Sequence, residues 1–431
     1  MNLAVIGSGG REHALCYKLK QSKKVDKLFC IPGNAGTKEL AENINEDPSN
    51  FDKIYKIIKK KKIDFIIVGP EEPLVNGIVD FLTERNIKVF GPDKFSSQLE
   101  GSKAFMKNLC KKNNIPTANF GIFEKLDEAV SFIKNSKIPI VVKADGLAAG
   151  KGVSICQSKE EAEIKTREII QGKFESSKKV VLEEYIEGEE LSYFSVVDKN
   201  TFHFFGSAQD HKRVGEGDTG LNTGGMGSYS PANLLTEQLE EKIKKKIIEP
   251  TLKALKKMGH PYKGFLYAGL MIKKNEPYLI EYNIRMGDPE CQVLMMRLKT
   301  SLVDVVQSVI NDSLENLNIL WSSKSCMTVV LCSKGYPGIY KKNSEIKNLK
   351  KISMNENDQV FHAGTYEKNK KIYSNGGRVL NITSLAKDLL KAKNKCLDNI
   401  KKINWTDGFF RRDIGWRAIK KDEDNRRKTQ K

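Results

Sequence analysis

The chain is poor in the features that mark several functional classes. Its eight cysteines lie scattered at positions 16, 30, 110, 156, 291, 326, 332 and 396. With no C-x-x-C pair among them, neither a disulfide framework nor a cysteine-based zinc site is expected. Only five histidines occur in 431 residues, and His13 with Cys16 finds no second pair at ligand spacing. No apolar run reaches the roughly 18 residues that span a bilayer. The opening Met1-Asn-Leu-Ala-Val-Ile-Gly7 has neither a basic n-region nor a small-residue cleavage site. A cytoplasmic protein without a membrane partner is expected, its cysteines serving as small core residues in a reducing compartment. Arginine is scarce, at 12 against 61 lysines, so the formal charge of +19 rests on lysine. Runs such as Lys59-Lys60-Lys61-Lys62 lack the arginine forks and interleaved aromatics of nucleic-acid readers. They read as solvated helix faces, no nucleic-acid partner is expected, and the field suits an anionic substrate.

What is present is a globular composition, 39% hydrophobic and 29% charged, long enough for two to four domains. The first hundred residues alternate buried-strand runs (Leu3 to Ile6, Lys27 to Ile31, Ile63 to Val68, Lys88 to Phe90) with amphipathic segments, the pattern of βαβ units on a parallel sheet. Each run ends in a Gly or Pro turn, and ligands on such sheets bind beyond the strands' carboxyl ends. A boundary is expected near residue 103. Gln209 to Ser230 is too rich in glycine for a regular element, and with the charged Gln209-Asp-His-Lys-Arg213 it reads as a lid. His211 in that run is as readily structural. A long helix is expected over Glu237 to Met258, a hairpin-like pair over Gly264 to Met271 and Tyr278 to Tyr282, a third domain from Cys326, and a frayed polar tail from Lys420.

Four segments carry chemistry. Gly7-Ser-Gly-Gly-Arg-Glu12 follows a strand and opens a helix, where backbone N–H groups can hold a phosphate. It is no dinucleotide fingerprint, since Glu12 stands where the third glycine of G-x-G-x-x-G belongs. A tight turn alone explains its glycines equally well. Lys143-Ala-Asp-Gly-Leu-Ala-Ala-Gly-Lys-Gly152 joins a strand lysine to a glycine loop bearing Lys151; its spacing is not that of a Walker A loop. Glu183-Glu-Tyr-Ile-Glu-Gly-Glu-Glu190 offers Glu183 to an exocyclic amine, the backbone at Tyr185 and Ile186 to a base edge, and Glu190 to ribose hydroxyls, although a solvated acidic turn explains the run in isolation. In Ile280-Glu281-Tyr-Asn283-Ile-Arg285-Met-Gly-Asp-Pro-Glu290, strand alternation puts Glu281 and Asn283 on one face, two oxygen donors suited to Mg²⁺. Arg285 comes next, placed to grip a carboxylate or acyl phosphate.

Together these residues resemble the phosphoribosylamine–glycine ligase family of the ATP-grasp superfamily, over nearly the whole chain. Pro32-Gly-Asn-Ala-Gly-Thr37, Val68-Gly-Pro-Glu71, Leu99-Glu-Gly-Ser-Lys-Ala104, Gly264-Phe-Leu-Tyr-Ala-Gly269, Phe361-His-Ala-Gly-Thr365, Gly376-Gly-Arg378 and Asp413-Ile-Gly-Trp416 share in the likeness. Met286 departs from it, where Phe or Leu is expected. The resemblance implies an α/β fold: an N-terminal parallel-sheet, Rossmann-like domain binding phosphoribosylamine (1–103), a central ATP-grasp domain (104–325) with a mobile lid at about 118–192, a small C-terminal α+β domain (326–421), and a polar tail (422–431). It implies that ATP phosphorylates glycine and that 5-phosphoribosylamine attacks the glycyl phosphate, giving glycinamide ribonucleotide for purine biosynthesis in a monomeric enzyme. Arg285, Asp210 and Lys212 would be catalytic. Lys103, Lys143, Gly150, Lys151, Gly152, Glu183, Glu184, Tyr185, Ile186 and Glu190 would bind ATP. Gly9, Gly10, Arg11, Glu12, Asn34, Gly36, Pro70, Glu71, Asp288 and Glu290 would bind the other substrates, and Glu281 and Asn283 would hold Mg²⁺ or Mn²⁺. Rival readings are another carboxylate–amine or carboxylating ATP-grasp enzyme, a basic nucleic-acid-binding protein, and a nicotinamide oxidoreductase.

Overall fold

The computed structural model describes residues 1–147, 152–174 and 178–429. In the strand Asn2–Gly7, Leu3 and Val5 point to one face and Ala4 and Ile6 to the other, and all four are fully buried. A strand apolar on both faces belongs inside a covered parallel sheet. It lies there, in the order Glu42–Asn43, Lys27–Pro32, Asn2–Gly7, Phe65–Val68, Lys88–Phe90, every pair parallel. Ala4 and Ile6 pack with Ile54, Ile58 and Ile78. Leu3 and Val5 pack with Val293, Leu294 and Val305 from far along the chain, so the first sheet shares its core with the middle of the molecule.

A second unit is small and has its own core. Its antiparallel sheet runs Phe120–Phe123, Val180–Glu184, Ile140–Ala144, Val153–Cys156, backed by the helices Leu126–Asn135 and Lys159–Ile170. Ala129, Ile133, Ile140, Val142 and Leu182 fill the space between.

The largest sheet is antiparallel. Its path is Glu276–Asn283, Gly264–Lys273, Glu189–Val197, Phe202–Asp210, Gly227–Ser230, Ser325–Ser333, Arg378–Ala386, Asp358–His362, with Gly408–Phe409 paired to Ser325–Ser333. The C-terminal strands therefore continue the central sheet. The expected hairpin of Gly264–Lys273 and Glu276–Asn283 is present. The helix Glu290–Arg297 is buried along its whole length between the parallel sheet's first helix and this large sheet.

Three expectations are corrected. The glycine-dense stretch is regular: Phe202–Asp210 runs into it, and Arg213–Gly215, Thr219–Asn222 and Gly227–Ser230 are strands. Positive φ at Gly217, Gly220, Gly225 and Gly227 lets the chain reverse between short pairings. The long helix is interrupted by a π turn at Lys244–Ile248 between Glu237–Ile243 and Glu249–Lys257. Pro250 supplies no N–H and crowds the carbonyl four residues back, which opens the turn. The C-terminal stretch is helical over Trp416–Thr429 rather than frayed from Lys420. Ala418 and Ile419 anchor its first turns in the core. All eight cysteines are buried and free, as the composition predicted.

Candidate active site

The site forms where the strand ends of the parallel sheet meet the last residues of Glu276–Asn283. Glu12 turns back beneath the first loop, its Oε2 accepting from the N–H of Gly9 at 2.6 Å and its Oε1 from Arg11 Nε at 2.7 Å. Gly7, at φ +124°, and Gly69 make room for it: a Cβ on either would lie 2.6 Å or less from the Glu12 side chain. These glycines serve a buried carboxylate, a requirement independent of dinucleotide chemistry. Pro70 precedes the helix Glu71–Asn76. The loop after the second strand is held internally, for Asn34 Oδ1 accepts from Gly36 and Thr37 N–H groups while Nδ2 donates to Ser8 and His362 carbonyls. Gly36 gives way to the His13 ring, 2.2 Å from where its Cβ would stand.

Beside this floor lies an arginine–carboxylate cluster. Arg285 donates from Nε to Glu71 at 3.2 Å, from a terminal nitrogen to Glu100, and from the other to the Met286 carbonyl. Among the described residues two guanidinium hydrogens find no acceptor and are left for an anion. Arg285 first, then Arg11, holds the Glu71 carboxyl down at about 2. Burial pushes Glu100 up to about 7 despite Arg285. Arg11 reaches the Met286 carbonyl at 3.1 Å. Burial pushes the Asp288 carboxyl up, but Arg378 and Arg11 outweigh it and bring it below its ordinary value. Glu290 accepts from Ser192 Oγ at 3.2 Å, and Ser192 pairs with Tyr267 Oη at 3.0 Å. A Cβ on Gly10 would strike Gln292 and Asn381, so helix Gly10–Lys20 starts against both.

Through Ser192 and Tyr267 the cluster adjoins a cleft lined also by Glu190, Lys212, Gly269 and Glu281. Glu281 lies across Gly269 on the neighbouring strand, where a Cβ would come within 3.0 Å of its Cγ. The strand register shifts between Gly269 and Leu270, a bulge that re-aims the side chains at this end. Lys212 Nζ stands 3.2 Å from Glu190 and 3.5 Å from Glu281. Burial raises the Glu281 carboxyl, yet the ammonium groups of Lys212, Lys143 and Lys103 outweigh it and bring it to about 2. Asn283 is 9% exposed, with Nδ2 unpartnered. Burial and Glu290 push the Asp210 carboxyl well above its ordinary range.

The lysines are arranged by a buried carboxylate. Glu183, 2% exposed, faces Lys107 at 2.8 Å on one oxygen and Lys143 at 2.8 Å on the other. A carboxylate taken out of water must be paired, and here each oxygen of Glu183, read in sequence as a contact for an exocyclic amine, faces an ammonium. Lys103 at the start of helix Lys103–Lys112 donates to the Gly146 carbonyl at 2.9 Å. Glu184 faces out and accepts from Asn119, while Tyr185 is exposed and the next residue, Ile186, buried. Gly152 is described and buried, whereas Gly150 and Lys151 lie outside the described residues. The stretch from Gln209 to Arg213 and Asn222 to Gly227, read in sequence as a lid, is built of short paired strands. His211 Nε2 accepts from the Gly415 N–H, with Nδ1 3.3 Å from the Gly227 carbonyl, a neutral structural ring. Sequence reasoning missed Lys107, Glu100 and Gly269, whose roles depend on partners 12 to 184 residues away.

A parallel sheet with glycine loops at its strand ends, a small separate sheet carrying Lys143 and Glu183, and two oxygen donors beside three ammonium groups define an ATP-grasp enzyme. Comparison with known proteins narrows the class. The phosphoribosylglycinamide synthetase N-domain model matches residues 1–100, the ATP-grasp (A) domain model 101–291, and the C-domain model 326–417. A phosphoribosylamine–glycine ligase of Brucella melitensis is 45% identical, covering 99% of this chain and 100% of that protein. The crystal structure of phosphoribosylamine–glycine ligase from Thermotoga maritima superposes with a TM-score of 0.84 at 36% identity, covering 96% of this chain and 100% of that one. Campylobacter jejuni biotin carboxylase shares the fold alone, with a TM-score of 0.73 at 17% identity over 94% of this chain and 92% of that one. The chain belongs to the phosphoribosylglycinamide synthetase family.

Proposed function

We propose that this chain joins glycine to 5-phosphoribosylamine at the cost of ATP, as an ATP-dependent carboxylate–amine ligase of purine biosynthesis. The observation that carries the reading is the position of Lys212 between Glu190 and Glu281, with Lys143 and Lys103 close enough to depress Glu281. Three ammonium groups meet there beside a strand that leads, two residues after Asn283, to Arg285 and the parallel sheet's strand ends. A nucleotide's phosphates and the acceptor can thus meet at one place.

In this reading Lys103, Lys143 and Gly152, with Gly150 and Lys151, hold the phosphates. The backbone at Tyr185 and Ile186, with Glu184 nearby, borders the base, and Glu190 takes the ribose. Glu281 and Asn283 fit a hard divalent cation: few carboxylates, oxygen donors, and a buried amide whose Nδ2 has no hydrogen-bond partner among the described residues. They would hold Mg²⁺ or Mn²⁺, whose positive charge would offset charge on the transferring phosphoryl group. Arg285, with its two uncommitted N–H groups, holds the glycine carboxylate, whose oxygen takes the γ-phosphoryl group as ADP leaves. The amine then attacks the acyl carbon, phosphate departs, and the amine sheds a proton. Lys212 stabilises charge on the phosphoryl group and Asp210 orients the amine. Gly9, Gly10, Arg11, Glu12, Asn34, Gly36, Pro70, Glu71, Asp288 and Glu290 frame the phosphoribosyl and glycine subsites, several of them by shaping the loops.

We divide the chain at about residues 103 and 325, with 118–192 moving as a lid and one chain as the working unit in the cytoplasm. Among the described residues no helix is long and apolar enough to cross a membrane. The test is ADP release with Mg-ATP and glycine, with and without phosphoribosylamine formed in situ from ribose 5-phosphate and ammonia. Release that needs both co-substrates is expected. ATP binding without release would redirect the search to other carboxylates and amines.

A further inference from the structure

The backbone on either side of Lys212 is held by a segment about two hundred residues away. Before Lys212, the His211 ring accepts from the Gly415 N–H at 3.0 Å. After it, the Arg213 carbonyl accepts from Arg411 at 2.9 Å. Among the described residues, the backbone of Lys212 itself is tied through its carbonyl, to the N–H and hydroxyl of Thr223. Arg411 is the largest fully buried side chain described, 1% exposed, so it offers nothing to a substrate. Its Nε and one terminal nitrogen make a fork to Asp413 at 2.8 and 2.7 Å. Its other terminal nitrogen reaches Asp218 at 2.9 Å as well as the Arg213 carbonyl.

The same contacts clasp the turn between Arg213–Gly215 and Thr219–Asn222. Asp413 accepts from the Gly217 N–H at 2.8 Å, Glu216 from the Arg412 N–H at 3.1 Å, and Arg417 pairs with Asp218 at 2.7 Å. Arg411 and Arg417 balance Asp218 and Asp413, leaving no uncompensated charge. A buried ion cluster is weak evidence for stability, since well-packed apolar groups often serve as well. Its distinguishing property here is geometric: it grips the residue after the ammonium that separates Glu190 from Glu281.

We infer that Arg411 is a positioning residue for the reaction, acting through Lys212: the 411–415 segment sets where the Lys212 ammonium stands between Glu190 and Glu281. This rests on the proposed function in taking that cleft as the nucleotide site. A lysine at 411 keeps the charge but cannot reach two carboxylates and a carbonyl in the directions a guanidinium does. Displacing a group at a reaction centre by about 1 Å can cost about 100-fold in rate.

The experiment is a double-mutant cycle between Arg411→Lys and Lys212→Met, read twice: as kcat in the ligase assay and as MgADP affinity by calorimetry. Arg411→Lys alone should lower kcat by about 10- to 100-fold and weaken MgADP. In the Lys212→Met background it should change neither by more than about twofold, because residues acting as one unit are not additive. Equal losses in both backgrounds would make Arg411 a structural residue only and overturn the proposal, as would wild-type values for Arg411→Lys. Circular dichroism and a urea midpoint establish folding, and Asp413→Asn, which removes one arm of the fork, replaces Arg411→Lys if that variant does not fold. Wild-type protein that binds MgADP without ligating would sink the proposed function but leave the affinity cycle decisive. Absence of MgADP binding would overturn both.

Discussion

Among the described residues the Lys212 ammonium, at 3.5 Å, is the ion-pair partner of Glu281. Glu281→Gln keeps shape and hydrogen-bonding atoms while removing the charge that would hold a divalent cation. Folding should be unchanged by circular dichroism. Turnover should fall by about 100-fold or more, the scale of losing one electrostatic contact to a developing charge. Near-wild-type turnover would remove Glu281 from the metal site. This residue, Asn283 and Arg285 were legible in sequence because they lie two apart at the end of an apolar run, and strand alternation puts the first two on one face. Glu183 was legible as a site residue but not in its function. Its two lysine partners, 76 and 40 residues earlier in the chain, turn an apparent acidic edge into a buried pivot.

Among elements, the helix Lys103–Lys112 is joined to the small sheet by Lys107. Its ammonium is fully buried and donates to Glu183 and Thr117 at 2.8 and 2.7 Å, and Thr117 in turn donates to the Leu279 carbonyl. Lys107→Met would leave Glu183 with Lys143 alone, in an interior where breaking a buried pair costs about 3 to 5 kcal/mol. A drop of that order in unfolding free energy is expected from urea titration. A change below about 1 kcal/mol would show that Glu183 keeps enough water or charge without Lys107. The stretch from Arg213 to Asn222 carries a related lesson. Its glycines read as a loop because periodicity cannot register strands of three or four residues whose partners are each other and a distant segment.

Across the whole molecule, the buried His211 and the partly buried His362 sit where C-terminal residues meet the rest. His211 accepts from Gly415, and His362 donates its N–H to the His13 ring at 2.8 Å. Burial pushes both His211 and His362 down to about 4, with Arg411 adding to the effect at His211. In the unfolded chain each ring takes its proton near 6.5. Between 6.5 and 4 the unfolded state therefore binds more protons, and stability falls as pH falls through that window, by on the order of 3 kcal/mol per ring. Hydrogen exchange at pH 4.5 should show the segments around 211–227, 358–365 and 411–419 opening before the parallel sheet. Uniform opening would place the acid sensitivity elsewhere. Two of the lysine runs lie on helices: Lys59–Lys61 form the last turn of Phe51–Lys61, and Lys244 pairs with Glu240 and Glu241. Cations near a helix C-terminus and at i,i+4 spacing are stabilising in place.

The amino-acid order alone determined what local periodicity and turn chemistry can carry. It set the parallel sheet's strands and their glycine ends, the hairpin that presents Glu281 and Asn283, the lysine–glycine loop, and through these motifs the family. Only the tertiary structure decided how charges are shared. It paired Arg285 with Glu71 and Glu100, turned Glu183 inward to Lys107 and Lys143, ran the C-terminal strands onto the central sheet, and set Arg411 behind Lys212. The physical reason is range. Backbone patterns repeat every two to four residues, whereas a buried charge is satisfied by whichever opposite charge the fold brings within about 3 Å, at any distance along the chain.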